Sequence, residues 1–560
     1  MTALATPSPR PILHGQLPGL ALTYHRLMLV MLLFVGVTAL LAGRLVLLQL
    51  LTDRSGGDAI GNPLLPARGD IVDRNGMPLA RTIDAWSIAV HPTRLLGNPG
   101  ELAVKLAGLM PEHDAAYYRL ALRSNRRFTY LSRRAAPETV MAVNAIGEPA
   151  IVFDREPERL YPQTGLAAHV LGWTDFDGRG VTGMERVLEQ RLSDPALRGT
   201  PVALSIDSRV QAAMESELGA AMARHQAAGA AGIVLDVDSG EIVSLVSLPS
   251  FNPNAAGHSG SSALFNRATM GFYELGSTFK PLTIAAAMEA GVVTSMSKRY
   301  AAGAPISVGG HKIEDDHPQG RSLNVPETLV HSSNIVTARI SDQMGATRMQ
   351  AAFRALGFAD PVHVELDQKG RYPWPSDWGR TTVMTSGYGH GIAITPLHLA
   401  SAYAALVNGG IWRPATLLRT ARPPAGRRVY SEATSLRMRQ LLRLIVTQGT
   451  GRRGEAAGYR VGGKTGTAEK SMAGGYSRRA NVSTFAAAFP MDRPRYVVIA
   501  MLDAPRGTAE TFGYTTAAWT AAPVVSRVIS RTGPLLGVIP DDSRDIDTSE
   551  LLPLIGNTEH

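Results

Sequence analysis

The chain has no cysteine among its 560 residues. That excludes a disulfide framework, a cysteine nucleophile and any thiolate metal site, and it leaves the redox compartment open. Lysine is scarce: 7 of the 56 basic residues are Lys and the other 49 are Arg. Aromatics make up only 6% and the arginines are scattered. The basic stripe interleaved with aromatics that a nucleic-acid surface needs is therefore missing, and no nucleic-acid partner is expected. The net charge of +9 suits an anionic partner such as cell wall or lipid headgroups. With 45% hydrophobic and 18% charged residues, the composition excludes a disordered chain and supplies a large core.

Long apolar runs are also few; there is one. Residues 27–43 (LMLVMLLFVGVTALLAG) carry no charge, and only Arg44 interrupts the 25 residues that end at Leu51. About 20 mostly apolar residues suffice for a helix to cross the hydrocarbon core. A cleaved signal peptide has a shorter apolar region, roughly 7–15 residues, and then a small-residue cleavage site. Leu40, Leu41 and the continuing apolar stretch argue for an uncleaved anchor. Arg10 and Arg26 precede the run, with no acidic residue before Asp53. The positive-inside rule then favours an amino terminus in the cytoplasm and the bulk of the chain outside it.

Beyond the anchor, residues 52–62 (TDRSGGDAIGN) read as a linker. Residues 81–200 mix short helices and strands and hold no convincing nucleophile–base pair. The pattern changes near Pro201: Asp207 caps an Ala-rich helix, and two β-branched runs flank the turn Asp238-Ser239-Gly240. Several helices follow, one opened by Thr395 as cap and Pro396 as first residue. Three more strand candidates come last, YRVGGKTGTA, VSTFAAAF and RYVVIAMLD. Two strands, many helices and three strands predict an α+β fold around one five-stranded antiparallel sheet flanked by helices. Residues 537–560 show no periodicity and are expected to be disordered.

Three short motifs stand in order. Ser277-Thr278-Phe279-Lys280 opens a helical pattern that runs to Gly291. Pro281 is tolerated only in a first turn, so the helix must begin near Gly276. Ser277 then sits at the positive end of the macrodipole, with Lys280 on the same face. That field favours an alkoxide on Ser277 and an uncharged amine on Lys280, as a Ser–Lys nucleophile requires. Ser332-Ser333-Asn334 is the second motif. Lys464-Thr465-Gly466-Thr467, on a strand after Gly462-Gly463, is the third and the sharpest: with seven lysines, chance supplies about 0.05 such matches. Decoys exist. Ser295 and Lys298 share the first spacing but lie past the helix, and Asn324 with Glu327 reads as a helix cap.

The ordered set resembles the signature of serine β-lactamases and penicillin-binding proteins, and the chain is similar to class B penicillin-binding proteins over roughly residues 27–530. RGDIVDRNG, RLYPQTGLAAHVLGW and GVTGMER resemble that family's non-catalytic pedestal. LSIDSRVQ, SLVSLPSFNPN, YELGSTFK, SSN, GYGHGIAITPLHLA and GGKTGTAEK resemble its transpeptidase domain. AITPLHLA and GGKTGTAEK resemble the septal branch more than the elongation one. Leu275 departs from the proline that many relatives carry, and Ser333 replaces the aspartate of Ser-Asp-Asn. The resemblance implies a cytoplasmic tail (1–26), a transmembrane anchor (27–51), a mixed α/β pedestal (52–200) and a transpeptidase domain (201–536), with the catalytic part in the periplasm.

It further implies roles. Ser277 attacks the D-Ala-D-Ala carbonyl of a peptidoglycan stem peptide, and Lys280 takes its proton. Ser332 relays that proton to the leaving nitrogen, and Asn334 holds the substrate backbone. Lys464 provides fixed positive charge for the substrate carboxylate, beside the hydroxyls of Thr465 and Thr467 around Gly466. The N–H groups of Ser277 and Thr467 form the oxyanion hole. Partners implied are stem peptides, lipid-linked precursor strands, β-lactams, an FtsW-type glycosyltransferase and other division proteins, with no cofactor and no metal. An elongation-type transpeptidase, a D,D-carboxypeptidase, a β-lactam sensor and a non-catalytic division scaffold are the alternatives. His311, Glu314, Asp315, Asp316 and His317 could suggest a metal site, but flexible oxygen-rich ligands suit zinc poorly, and a solvated loop is expected. His390, among glycines, is expected in a tight loop beside the site rather than as a base.

Overall fold

The computed structural model describes residues 18–52, 67–370, 374–472 and 475–556. Contacts divide the chain after Leu65 into two units. The first contains one helix, Pro18–Thr52. Among the described residues, its stretch Arg26–Arg44 is the one segment long and apolar enough to cross a membrane. Leu, Met and Ala favour the helix, and a helix satisfies its own backbone in lipid. The lone hydroxyl of Thr38 donates to the Phe34 carbonyl at 2.7 Å, so it adds no unpaired polar group to the apolar run. Residues 1–17 of the expected tail, and all of the expected linker except Thr52, lie outside the described residues.

The second unit begins with a mixed sheet. Its strands are β1 (Ile71–Val72), β2 (Pro78–Val90), β3 (Thr129–Ala135), β4 (Ile151–Leu160) and β5 (Val202–Ala203). β2 pairs antiparallel with β1, β3 and β4, and β1 pairs parallel with β5. The three pedestal-like segments meet at one buried carboxylate. Arg68 and Arg159 each donate from Nε to Glu185 at 2.7 Å, and Glu185 is fully buried. A buried ion of this kind is tolerated only when it is paired and hydrogen-bonded. Asp73 of the first segment accepts from the N–H and hydroxyl of Ser208, which starts the next helix.

The sheet that carries the site follows. Strands β6 (Gly229–Asp236) and β7 (Ile242–Leu248) form the hairpin around Asp238-Ser239-Gly240. Small ribbons β8 (Ile306–Val308) with β9 (His311–Ile313), and β10 (Ile411–Trp412) with β11 (Arg427–Arg428), lie among the helices. Strands β12 (Gly462–Met472), β13 (Gly475–Phe489) and β14 (Tyr496–Asp503) complete a five-stranded antiparallel sheet in the order β12-β13-β14-β6-β7. Period-two alternation sends Val497, Ile499 and Met501 into one core and Val498, Ala500 and Leu502 into another. The second core includes Val210, Met214 and Leu218 of the helix Ser208–Arg224 and Val524, Val525 and Val528 of the helix Ala521–Thr532. The first includes the helices Lys280–Glu289 and Pro396–Val407. Both faces are covered, which is why these strands read as continuous apolar runs.

The carboxy-terminal segment differs from expectation. Residues 537–556 are ordered against the domain. Leu551 is fully buried, Arg443 donates to Asp545 at 2.7 Å, Gln440 to the Asp547 carbonyl at 2.7 Å, and Asn324 to the Leu554 carbonyl at 2.7 Å. The segment has almost no regular secondary structure. Its order comes from side chains more than 50 residues away in the chain, which a search for periodicity does not detect.

Candidate active site

Ser277 occupies a single 3-10 turn, Gly276–Phe279, and the regular helix starts at Lys280. The sequence predicted the helix start near Gly276; the tighter turn precedes it. Pro281 is then the second helical residue, where its missing N–H costs nothing. The turn is fastened by Thr278, whose hydroxyl donates to the Leu275 carbonyl at 2.9 Å, and by Tyr403, whose hydroxyl donates to the Thr278 carbonyl at 2.8 Å. Phe279 and Lys280 are fully buried, while Ser277 is half-buried.

Lys280 reaches toward Ser277 by way of Ser332. Its amine donates to the Ser332 carbonyl and, at 3.0 Å, to the Ser332 hydroxyl. The Ser332 hydroxyl in turn lies 3.0 Å from Ser277 Oγ. Ser332 has a left-handed backbone, φ +60°, a conformation that costs a non-glycine residue about 1–2 kcal/mol. Its neighbours hold it there. Ser333 N–H donates to the Thr328 carbonyl at 2.9 Å, and Ser333 Oγ accepts from Val336 N–H at 3.2 Å, capping the helix Asn334–Ala355. Asn334 Nδ2 donates to the Glu314 carbonyl at 2.8 Å.

Asp315 was missed by sequence reasoning. It was expected in a solvated loop, yet it is 8% exposed. One carboxylate oxygen accepts from the Ser333 hydroxyl at 2.7 Å and the other from Ile335 N–H at 2.9 Å. It thus ties the loop after β9 to the helix start beside Ser332. The one local hint was Ser333 itself, a serine where an aspartate is common, which leaves a carboxylate to come from elsewhere. Its four acidic and histidine neighbours, His311, Glu314, Asp316 and His317, are exposed as expected.

The third motif lies on the edge strand β12. Lys464 is fully buried and donates to the Thr465 carbonyl at 2.9 Å and hydroxyl at 3.3 Å. The Thr465 hydroxyl also meets that of Thr450 at 2.9 Å, and the Thr467 hydroxyl accepts from Ala517 N–H at 3.1 Å. Motifs one and three touch through glycine. A Cβ on Gly466 would stand 2.3 Å from the Leu275 carbonyl oxygen, and one on Gly276 would stand 2.9 Å from the Thr467 oxygen. The loop of His390 closes the other side: Gly389, at φ +83°, approaches so closely that a Cβ there would lie 2.2 Å from the Gly276 oxygen.

Burial governs the charges. Loss of water pushes the Lys280 amine down to about 7, against the opposing pull of Asp316 and Asp315. The helix field expected from the sequence is not needed for that result. Lys464 is driven well below its ordinary value by burial and then by the nearby charge of Lys280. A fixed charge on Lys464 therefore needs an anion beside it. His390 is lowered by burial, then by Lys280.

Comparison with known proteins agrees with this geometry. The penicillin binding protein transpeptidase domain family matches residues 230–526, and the penicillin-binding protein dimerisation domain family matches residues 63–194. A Caulobacter vibrioides protein named probable peptidoglycan D,D-transpeptidase FtsI is 40% identical over 484 residues, which are 84% of this chain and 82% of that one. The peptidoglycan D,D-transpeptidase FtsI of Escherichia coli is 27% identical over 517 residues, 87% of this chain and 86% of that one. A crystal structure of a peptidoglycan synthetase from Bifidobacterium adolescentis has a TM-score of 0.67 at 22% identity, covering 87% of this chain and 98% of that one. At that identity the likeness is one of fold.

Proposed function

The chain belongs to the penicillin-binding protein transpeptidase family, and from that premise we propose that it cross-links peptidoglycan stem peptides at the division septum through an acyl-enzyme on Ser277. The observation that carries this reading is the hydrogen-bonded chain Ser277–Ser332–Lys280. With Lys280 uncharged, the two hydroxyls rotate, so that Ser277 donates to Ser332 and Ser332 to the amine. Ser277 Oγ attacks the carbonyl of the penultimate D-alanine while its proton moves through Ser332 to Lys280. The N–H groups of Ser277 and Thr467, brought together by the close approach of Gly276 to Thr467, face the developing oxyanion. On collapse the C–N bond breaks, the relay returns the proton to the departing D-alanine amine, and an ester remains on Ser277. An amine of a neighbouring strand then attacks the ester; the new C–N bond forms the cross-link as the C–O bond to Ser277 breaks, and the amine's proton passes through the relay to Ser277 Oγ.

Lys464, Thr465 and Thr467 bind the terminal carboxylate, and Asn334 holds the substrate backbone. The carboxylate returns to Lys464 the proton that burial and Lys280 disfavour, which in turn favours the uncharged Lys280. β-Lactams, which imitate the D-Ala-D-Ala end, stop at the ester. The apolar helix anchors the chain in the inner membrane, amino terminus in the cytoplasm and catalytic unit in the periplasm. An FtsW-type glycosyltransferase supplies the lipid-linked strand there.

The test is labelling by a fluorescent penicillin. The unmodified protein should label and Ser277→Ala should not; equal labelling of both rejects the nucleophile. Product analysis then separates cross-linking from hydrolysis: free D-alanine without cross-linked dimers rejects transpeptidation. Depletion producing round cells instead of filaments rejects the septal role.

A further inference from the structure

Two segments fasten the hydroxyls of the third motif, and both lead to one aromatic cluster. Thr450, bonded to Thr465, is followed three residues later by Arg453. Ala517, bonded to Thr467, is followed two residues later by Trp519. The Arg453 guanidinium lies 3.6 Å from the Trp519 ring centre. Tyr514 stacks on Trp519 at 5.8 Å and 14°, and Phe512 meets it edge-on at 5.6 Å. Trp519 is half-buried, whereas Phe512 is 77% and Tyr514 55% exposed.

Exposure on this scale is unfavourable for two rings that both pack on one tryptophan. The backbone adds to it. Phe512 has φ +52°, a conformation rare for a bulky side chain. It is imposed by bonds from Gly513 N–H to the Thr508 carbonyl at 2.9 Å and from Tyr514 N–H to the Thr511 carbonyl at 2.8 Å. A strained residue that thrusts its ring into water is characteristic of a binding site.

We propose that Phe512 and Tyr514 form a platform for the glycan of a peptidoglycan strand, seating the apolar C–H face of one pyranose ring while the third motif engages the attached peptide. This rests on the reading of that motif as the stem-peptide site. The size of the patch selects the occupant. Aromatic side chains offer about 150–250 Å² each, enough for a sugar ring, whereas a stable protein interface takes about 800 Å² per partner. An uncharged ring suits the exposed faces of Phe512 and Tyr514, the exposed Arg453 guanidinium on Trp519 can donate to sugar hydroxyls, and tethering through Thr465 and Thr467 places the platform beside the peptide it would accompany.

The probe is peptidoglycan glycan from which the stem peptides have been removed, titrated by calorimetry into the full chain in detergent. Phe512→Gly with Tyr514→Ala should weaken glycan binding about tenfold, or ~1.4 kcal/mol. Penicillin labelling of Ser277 should be unchanged, and the melting temperature equal or higher because the strain at position 512 is gone. Tyr514→Phe, which keeps the ring, should retain binding. No glycan binding by the unmodified protein overturns the proposal, as does equal binding by the double variant. So does loss of binding to phosphatidylglycerol vesicles with glycan binding intact, which assigns the platform to lipid. Failure of penicillin to label the unmodified protein would instead count against the proposed function, since the glycan titration does not involve Ser277.

Discussion

The Lys280 amine grips Ser332 twice, through the backbone carbonyl and, at 3.0 Å, through the side-chain hydroxyl. In the proposed mechanism the serine between Lys280 and Ser277 is thus both a relay and an anchor for the base. Ser332→Ala keeps the carbonyl contact and removes the relay, and acylation by penicillin should fall about 10²–10⁴-fold. Ser332→Gly should lose the same activity yet gain about 1 kcal/mol of stability, because glycine adopts φ +60° freely. Stopped-flow acylation and thermal unfolding of the two variants separate the hydroxyl from the backbone.

The proposed mechanism makes Lys280 a base when uncharged, and burial lowers its amine to about 7. The acylation rate constant should therefore rise with pH, with a midpoint near that value and a plateau above it. The sign follows from burial: the folded protein disfavours the ammonium, so the active form predominates above the folded value. Lys280→Arg, which stays charged, should show no acylation at any pH in this range. A falling profile between pH 6 and 8 would contradict the assignment.

Gly466 lies so close to the turn of Ser277 that a Cβ there would stand 2.3 Å from the Leu275 oxygen and 2.8 Å from the Thr278 methyl. Gly466→Ala must part β12 from the turn bearing Ser277. We expect about 1–3 kcal/mol of destabilisation and an acylation rate down roughly 10²-fold, the scale of a 1 Å misplacement. Penicillin acylation and melting temperature measured together would show activity lost beyond what instability explains.

Asp315→Ala removes the acceptor for Ser333 Oγ and Ile335 N–H. Leaving those buried groups unpaired should cost about 1–3 kcal/mol and slow acylation by loosening Ser332. Asp315→Asn keeps one acceptor oxygen and should recover part of both. If the rate of Asp315→Ala is normal, the loop after β9 does not position Ser332.

Glu185→Ala would leave Arg159 buried without its carboxylate and Arg68 with Glu189 alone. The expected loss is about 3–5 kcal/mol, read by thermal unfolding. The Ser277 labelling rate per folded molecule should not change, since Glu185, on the helix Gly183–Val187, clusters with Arg68 and Arg159 beside the amino-terminal sheet and not at Ser277.

The helix long and apolar enough to cross a membrane, the five strands of the central sheet, the caps at Asp207, Asn324 and Thr395, and the three motifs are all legible in the sequence alone. Each of these depends on residues close together in the chain: an uninterrupted apolar run, a two-residue period, an oxygen before a helix. Tertiary structure decided how the motifs cooperate. Ser332 stands between Lys280 and Ser277 because a left-handed turn is clamped from Asp315, Glu314 and Thr328. Lys280 and Lys464 lose proton affinity because the fold removes water from both, and composition carries no measure of that. The ordering of residues 537–556 has the same origin, since their partners Asn324, Gln440 and Arg443 are distant in the chain. Local propensity is written over a few residues, whereas burial and long-range hydrogen bonding exist only once the segments have been brought together.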